Sequence, residues 1–396
     1  MSYGALSGIR VLDLTQMLAG PYGTMMLADH GAEVIKIEPP HGDMTRASGP
    51  WFEDDTRRSH GGYFQSVNRN KRSVVLDLKS EDGRQAFLRL VEKADVVVEN
   101  FRLGVMEKLG LGYETLSAIN PKLVYGCLRG FGDSRTGKSP YADWPAFDVV
   151  AQAMGGIIGI TGPDADTPIK IGPGVGDIIP GMHLAFGILT ALHHARETGV
   201  GQLVDVAMAD SVLATCERMV YQHSISGHVA GPEGNRHPFL CPFGVFPASD
   251  GFVTIAAPSQ QMFETLCDSL DCPDIKADPR FADPALRGQQ QDALVAALSA
   301  VTSAFSKADL ARRLGGEVPF GPVLRADEIA ADPHFAAREM LADVEQPGFD
   351  RPLTIAGVPV KLTRTPGGVK RRGPFLGEDT AAVLADAGLR HPQNLK

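Results

Sequence analysis

Short runs of branched apolar residues, separated by helical pattern, constrain this chain more than any other feature. Val11–Leu14, Glu33–Glu38, Ser73–Leu78, Asp95–Glu99 and Leu123–Cys127 all read as buried strands. A short helix is expected between the first two, an amphipathic helix from Ser80 to Lys93, and a further helical stretch before the last strand. Strands alternating with helices build a parallel, doubly wound sheet. Ligands of such sheets lie beyond the carboxyl ends of the strands, where the loops gather. The first turn, Thr15 to Pro21, has no Gly-x-Gly-x-x-Gly, so this Rossmann-like pattern does not imply a nicotinamide dinucleotide.

After residue 208 the texture changes. A helical run, Ala209–His223, leads through the loop Ser226–Pro242 to a hairpin-like stretch, Gly244–Ala256, with Asp250 and Gly251 as its turn signal. Helical segments around 259–270 and 291–315 complete a smaller α+β unit. From about residue 325 the pattern is mixed again, ending in a capped helix between Gly377 and Ala387.

The chain has 396 residues, enough for two or three domains. It is 43% hydrophobic and 21% charged, which fits an ordinary α/β enzyme. A net charge of −9, with no long Lys/Arg run, argues against a nucleic-acid binder. The N-terminus lacks the pattern of a signal peptide. The longest apolar stretch, near 182–192, falls short of the roughly 20 residues of a membrane span. Five scattered cysteines suggest reduced thiols in a cytoplasmic protein. Cys267 and Cys272 have no second ligand pair at zinc-like spacing, so no metal site is expected.

The chemistry concentrates between Gly172 and Asp177. Gly172, Gly174 and Gly176 precede one carboxylate and then the apolar run Met182–Leu189. Glycines let backbone N–H groups approach a developing negative charge. A carboxylate is ionised at neutral pH and attacks an activated carbonyl without a helper base. The residues alone describe an N-cap more readily, with Asp177 accepting from first-turn amides.

The segment Gly172–Gly187 resembles the active-site segment of the family III CoA-transferases, the formyl-CoA transferase and carnitine CoA-transferase group. The resemblance extends in order through Gly8–Thr15, Ala19–Pro21, Leu27–Glu38, Gly42–Arg46, Asn68–Leu78, Glu99–Phe101, Pro145–Asp148, Gly199–Val206, Gly321–Val323 and Leu376–Glu378. It implies CoA transfer from an acyl-CoA to a carboxylic acid, with Asp177 carrying the acyl group covalently. Gly174 and Gly176 become candidate oxyanion donors, and Asp148 matches an acidic residue lining the acyl site. By itself Asp148 also reads as a carboxylate favouring a helix N-terminus.

Further roles follow from the same resemblance. Leu18, Ala19, Gly20 and Pro21 would underlie the pantetheine arm. Lys71 and Arg72 would meet CoA phosphates, for which both side chains are suited; read alone they are a solvated loop. Asn100, Phe101 and Lys108 join the CoA-binding set, and Arg46 the substrate-binding set. CoA enters as substrate, with no tightly bound cofactor. The implied layout is residues 1–208 as the first part of a large CoA-binding domain, 209–324 as the small domain with linkers, and 325–396 as the return to the large domain. The family's two subunits thread through each other as an interlocked homodimer.

Two departures matter. The glycine-rich flap of the formyl-CoA transferases is replaced by Gly234–Pro238 and Cys241–Gly244, so formyl or oxalate specificity is not implied. Arg236 and His237 in that stretch are candidates for a second carboxylate, or plain loop residues. The related α-methylacyl-CoA racemases carry a His beside their aspartate. Here the equivalent is Phe147 before Asp148, leaving no imidazole for α-proton exchange. Transferase is therefore the preferred reading, with racemase the alternative and a dehydrogenase or non-catalytic CoA-binding protein more distant. Short dicarboxylates are the expected substrates. His193 and His194 are taken as structural or solvent-facing.

Overall fold

A computed structural model describes residues 4–58 and 60–389. They form two compact units, one of Met1–Ile158, Lys170–His228 and Pro333–Lys396, the other of Gly159–Ile169 and Val229–Asp332.

The large unit is built on six parallel strands: β1 (Arg10–Asp13), β2 (Glu33–Glu38), β3 (Arg72–Val75), β4 (Val96–Glu99), β5 (Val124–Arg129) and β6 (Leu203–Ala207). Their order across the sheet is β3-β2-β1-β4-β5-β6. The chain winds outward from β1 in one direction and from β4 in the other, so the topological switch point lies between these strands. In register, Val11 faces Val34 on one side and Val96 on the other. Strand side chains alternate between two cores. Val11, Val34, Val96 and Val98 pack with Leu184, Ala185 and Ile188 on one face. Leu12, Ile35, Val97 and Tyr125 pack with Phe87, Leu90 and Leu116 on the other. Five strands match the sequence reading to within a few residues. The sixth is the one that reading did not identify: Leu203–Ala207 completes the sheet beside β5.

Helix Val175–Thr198 is the central element of the first core, and Gly199 in the left-handed conformation closes it. At 24 residues it exceeds the apolar run read from sequence, and by length and composition it is long and apolar enough to cross a membrane. Its inner face, including Gly181, Leu184, Ala185, Ile188 and Ala191, is buried.

The run expected as one helix over Ala209–His223 is two, Met208–Thr215 and Glu217–Ser226, broken at Cys216. Met208 and Val212 pack into the first core, which is why this segment belongs to the large unit rather than opening the small one. The second unit contains the expected hairpin, β7 (Phe243–Ala248) against β8 (Gly251–Ala256), with β9 (Phe320–Pro322) alongside. Its helices cover the core of Phe246, Val253, Phe263, Leu294 and Leu310. The unit also takes in Gly159–Ile169, outside the 209–324 range expected for the small domain.

Candidate active site

The carboxyl ends of β1, β4, β5 and β6 open onto a cavity of about 290 Å³. The loop after β1 contributes Gln16, Met17 and Ala19, and the loop after β4 contributes Asn100–Leu103. Leu128–Gly130 and Met208 come from the ends of β5 and β6, and Trp144–Phe147 close a further side. Asp177 lines the same cavity. This is the crevice where a doubly wound sheet is expected to hold its ligand.

Asp177 is the third residue of helix Val175–Thr198, whose N-cap is Gly174 with no side-chain capping bond. The N-cap reading of Asp177 is thereby excluded. Its half-buried carboxylate makes no hydrogen bond or ion pair among the described residues. Burial first, and the neighbouring Asp148 carboxylate second, push it up to about 7. A helix N-terminus favours an anion, but here lost hydration and like-charge repulsion prevail. The result is an under-solvated carboxyl group without a partner on the cavity wall.

Asp148 opens a second helix, Asp148–Met154. One of its oxygens accepts from Gly176 N–H at 2.8 Å, and both accept from Gln152 Nε2 at 2.9 Å. Gln152 Oε1 in turn accepts from Ile171 N–H at 2.9 Å. Asp148 thus ties the helix that bears Asp177 to its own. The contact requires a glycine, since a Cβ at position 176 would lie 2.4 Å from the Asp148 carbonyl oxygen. It also revises an expectation: the Gly176 amide is occupied by Asp148 and is no oxyanion donor in this state. Leu18 packs toward the same loop, with its Cδ2 3.1 Å from where a Cβ on Gly174 would stand.

The family model of CoA-transferase family III matches residues 6–380. The chain belongs to this family. It is 49% identical to the succinyl-CoA:mesaconate CoA-transferase of Haloarcula hispanica over 98% of this chain and 97% of that protein. It is 40% identical to the succinate–glutarate CoA-transferase of Agrobacterium fabrum, covering 96% and 95% of the two chains. Among solved structures, a CAIB/BAIF family protein from Brucella suis superposes with a TM-score of 0.87 at 36% identity, over 97% of this chain and all of the other. The protein is an enzyme, a CoA-transferase of acyl-CoA metabolism.

Within this family III transferase the expected site residues divide into three groups. Leu18, Ala19, Asn100 and Phe101 lie on the two switch-point loops, and all but Leu18 line the cavity. Asn100 grips Gln16 from both sides, its Oδ1 accepting from Gln16 N–H at 2.9 Å and its Nδ2 donating to Gln16 O at 2.8 Å. Pro21 is buried in the first turn of helix Ala19–Asp29. Lys108 is exposed at the end of the single-turn helix Val105–Lys108.

Lys71, Arg72 and Arg46 are instead committed within the large unit. The Lys71 ammonium is fully buried, 2.9 Å from Asp13, and donates also to Pro21 O, Thr24 Oγ1 and Asn68 Oδ1. Burial alone would raise the Asp13 carboxyl, but Lys71 and Lys36 hold it at about 2. Arg72 pairs with Glu33 at 2.6 Å and Asp379 at 3.4 Å. Arg46 makes a two-pronged contact with Glu38 at 2.6 and 2.7 Å, donates to Pro374 O and stacks on Phe64. Lys71 has no exposed surface, which corrects its assignment to CoA phosphates, while Arg72 and Arg46 are held by these carboxylates and do not line the cavity. Arg236 and His237 belong to the small unit. There Arg236 pairs with Asp292, and His237 Nδ1 accepts from Phe239 and Leu240 amides.

Gln16, Met17, Arg102, Arg129 and Trp144 line the cavity without having been singled out from sequence. Tyr63 was also missed. Burial, then the fields of Asp177, Asp43 and Asp148, push its phenol up to about 12. Its signal was an aromatic residue just before the Asn68–Lys71 motif, which periodicity alone does not distinguish from core.

Proposed function

We propose that this enzyme moves CoA from succinyl-CoA, or a thioester of a similar short dicarboxylate, to a second short dicarboxylate through covalent intermediates on Asp177. The unpartnered Asp177 carboxylate in the switch-point cavity carries the reading. The names of the Haloarcula hispanica and Agrobacterium fabrum relatives support the substrate class.

In the proposed sequence an Asp177 oxygen attacks the thioester carbonyl carbon and the C–S bond breaks. CoA leaves as thiolate and a mixed anhydride remains. The thiolate attacks the aspartyl carbonyl, releasing the donor acid and forming an aspartyl-CoA thioester. The acceptor carboxylate attacks that carbonyl and expels the thiolate, which takes the acyl group from the new anhydride and frees Asp177. One thioester is exchanged for another, so the exchange is near thermoneutral and the barrier is the problem. Positioning the carboxylate against the carbonyl can contribute on the order of 7–11 kcal/mol.

With Lys71 and Arg72 committed elsewhere, Arg102 and Lys108 replace them as phosphate contacts. Both are exposed cations beyond β4, and neither has an ion-pair partner among the described residues. A homodimer is part of the proposal. Met182, Phe186 and Leu189 are exposed along one face of the central helix, with Phe186 71% accessible, and a second copy would cover them. Five buried free thiols favour a reducing, cytoplasmic setting.

The test is succinyl-CoA with mesaconate, glutarate, malate or oxalate in turn, read by mass spectrometry of the CoA products and of the peptide bearing Asp177. Transfer to the dicarboxylates with acyl or CoA mass on that peptide is expected. Transfer that persists in Asp177→Asn overturns the mechanism, and α-proton exchange without transfer overturns the activity.

A further inference from the structure

Beneath the loop that follows β1 lies a cage of charges. Asp13, Lys36, Asp43 and Lys71 are each no more than 2% exposed. Lys36 pairs with Asp43 at 2.9 Å and Lys71 with Asp13 at 2.9 Å. Taking four charges out of water is expensive, and well-packed apolar residues in their place are often as stable or more so. Stability alone therefore does not account for them.

What the cage touches does. Lys36 Nζ donates to Thr15 O at 2.7 Å, and Asp13 accepts from Thr15 N–H at 2.9 Å. Asp43 accepts from Thr45 and faces the Met17 amide at 3.5 Å. Between these anchors Met17 has φ 67°, a left-handed conformation that non-glycine residues seldom adopt. A backbone outlier of this kind costs of order a kilocalorie or more and persists only where its surroundings hold it. The strained residue lines the cavity of Asp177. Next to it, Leu18 packs toward Gly174, the N-cap of the helix that carries Asp177. The chain of contact runs from buried charge to strained loop to the nucleophile's own loop. Asp43 also lies close enough to the catalytic pair for one phenol, Tyr63, to feel all three carboxylates.

We infer that Lys36 and Asp43 are positioning residues for CoA transfer, fixing the Thr15–Leu18 backbone so that it holds the Asp177 loop in attacking geometry. They touch neither substrate nor the reacting atoms. The inference rests on the proposed role of Asp177. Because the loop sets the geometry of attack, its release should lower kcat by more than it raises the donor KM. A misplacement of about 1 Å costs roughly 100-fold in favourable cases, so a fall of roughly 10- to 100-fold in kcat is expected.

The experiment neutralises the pair without stranding either charge, as Lys36→Met with Asp43→Asn. Asn keeps an acceptor for Thr45. Alongside steady-state kinetics with succinyl-CoA, amide hydrogen exchange is followed at residues 15–18. The expected result is a cooperatively folding enzyme with faster exchange at these amides and reduced kcat. Adding Met17→Gly, which accepts the positive φ without strain, should restore part of the loss. A folded double variant with wild-type kcat and unchanged exchange overturns the inference. If that variant does not fold, Asp43→Asn alone weakens the same anchor while keeping the Thr45 acceptor, and wild-type kcat with unchanged exchange there overturns it equally. An Asp177→Asn enzyme with wild-type turnover would instead defeat the Asp177 reading, while the exchange measurement still reports on the loop.

Discussion

Replacing Asp177 by Asn removes a charge that the fold opposes while keeping the shape of the side chain. The carboxyl is displaced from its ordinary 3.8 to about 7, roughly a thousandfold in its ionisation constant and about 4 kcal/mol. Asp177 is half-buried and its cavity admits water, so screening reduces the cost of ionising it to about 2 kcal/mol. Between pH 3.8 and about 7 the native chain holds a proton that the unfolded chain has already released. Raising the pH through this window therefore lowers stability, and above about pH 7 the loss is complete. The Asp177→Asn variant has no such loss. It should match the wild type near pH 4 and exceed it by about 2 kcal/mol at pH 8, while losing turnover. Urea unfolding followed by circular dichroism at several pH values, with the difference taken at each, measures this directly. A variant less stable than wild type at pH 8, or a difference that does not change with pH, would refute the claim that Asp177 is destabilised in its charged form.

Asp148→Asn removes the like charge beside Asp177, so the acid limb of the kcat/KM profile should move to lower pH; an unmoved limb would mean burial alone sets it. Lys71→Ala removes the ion-pair partner of the buried Asp13, and should cost about 3–5 kcal/mol in denaturant unfolding. A stable Lys71→Ala enzyme with a raised KM for CoA would instead restore its phosphate role. Arg102→Ala should raise the donor KM roughly 10-fold at low ionic strength, with the effect shrinking as salt rises; an equal effect with succinyl-pantetheine, which has no phosphate, would place Arg102 against the acyl arm.

The sheet was legible because each of its first five strands carries a compact run of branched residues bounded by turn or helix signals. Strand β6 was not, because Leu203–Ala207 is a short LVDVA run following a long helix and reads as its tail. Asp177 stood out for its glycine-rich approach, and Asp148 for its place in a matched motif, but their mutual contact through Gly176 is a tertiary fact. Lys71 shows the opposite failure. A basic pair following Asn68–Asn70 looks exposed, yet position 71 turns inward because Asp13, at the end of the neighbouring region of the sheet, is a buried anion needing a partner. Residue type predicts that a lysine will seek a negative charge; it does not say whether that charge belongs to a ligand or to the protein.

The same distinction explains how a parallel sheet aims one carboxylate. Helix Ala19–Asp29 and the long helix meet backbone to backbone, since a Cβ on Gly181 would fall 2.5 Å from Ala19 O and one on Gly23 2.6 Å from Gly181 O. Two glycines six and four residues into their helices thus bring the start of each helix to one edge of the switch point, with Ala19 and Asp177 on one cavity wall. Holding them there by close packing leaves the Asp177 side chain free of bonds, and that freedom is what the proposed attack on a thioester would require. A carboxylate locked by an arginine, as Glu38 is by Arg46, would be stable and inert. Placing the ion pairs beneath the loop and the glycines between the helices lets the protein fix the position of Asp177 without neutralising it.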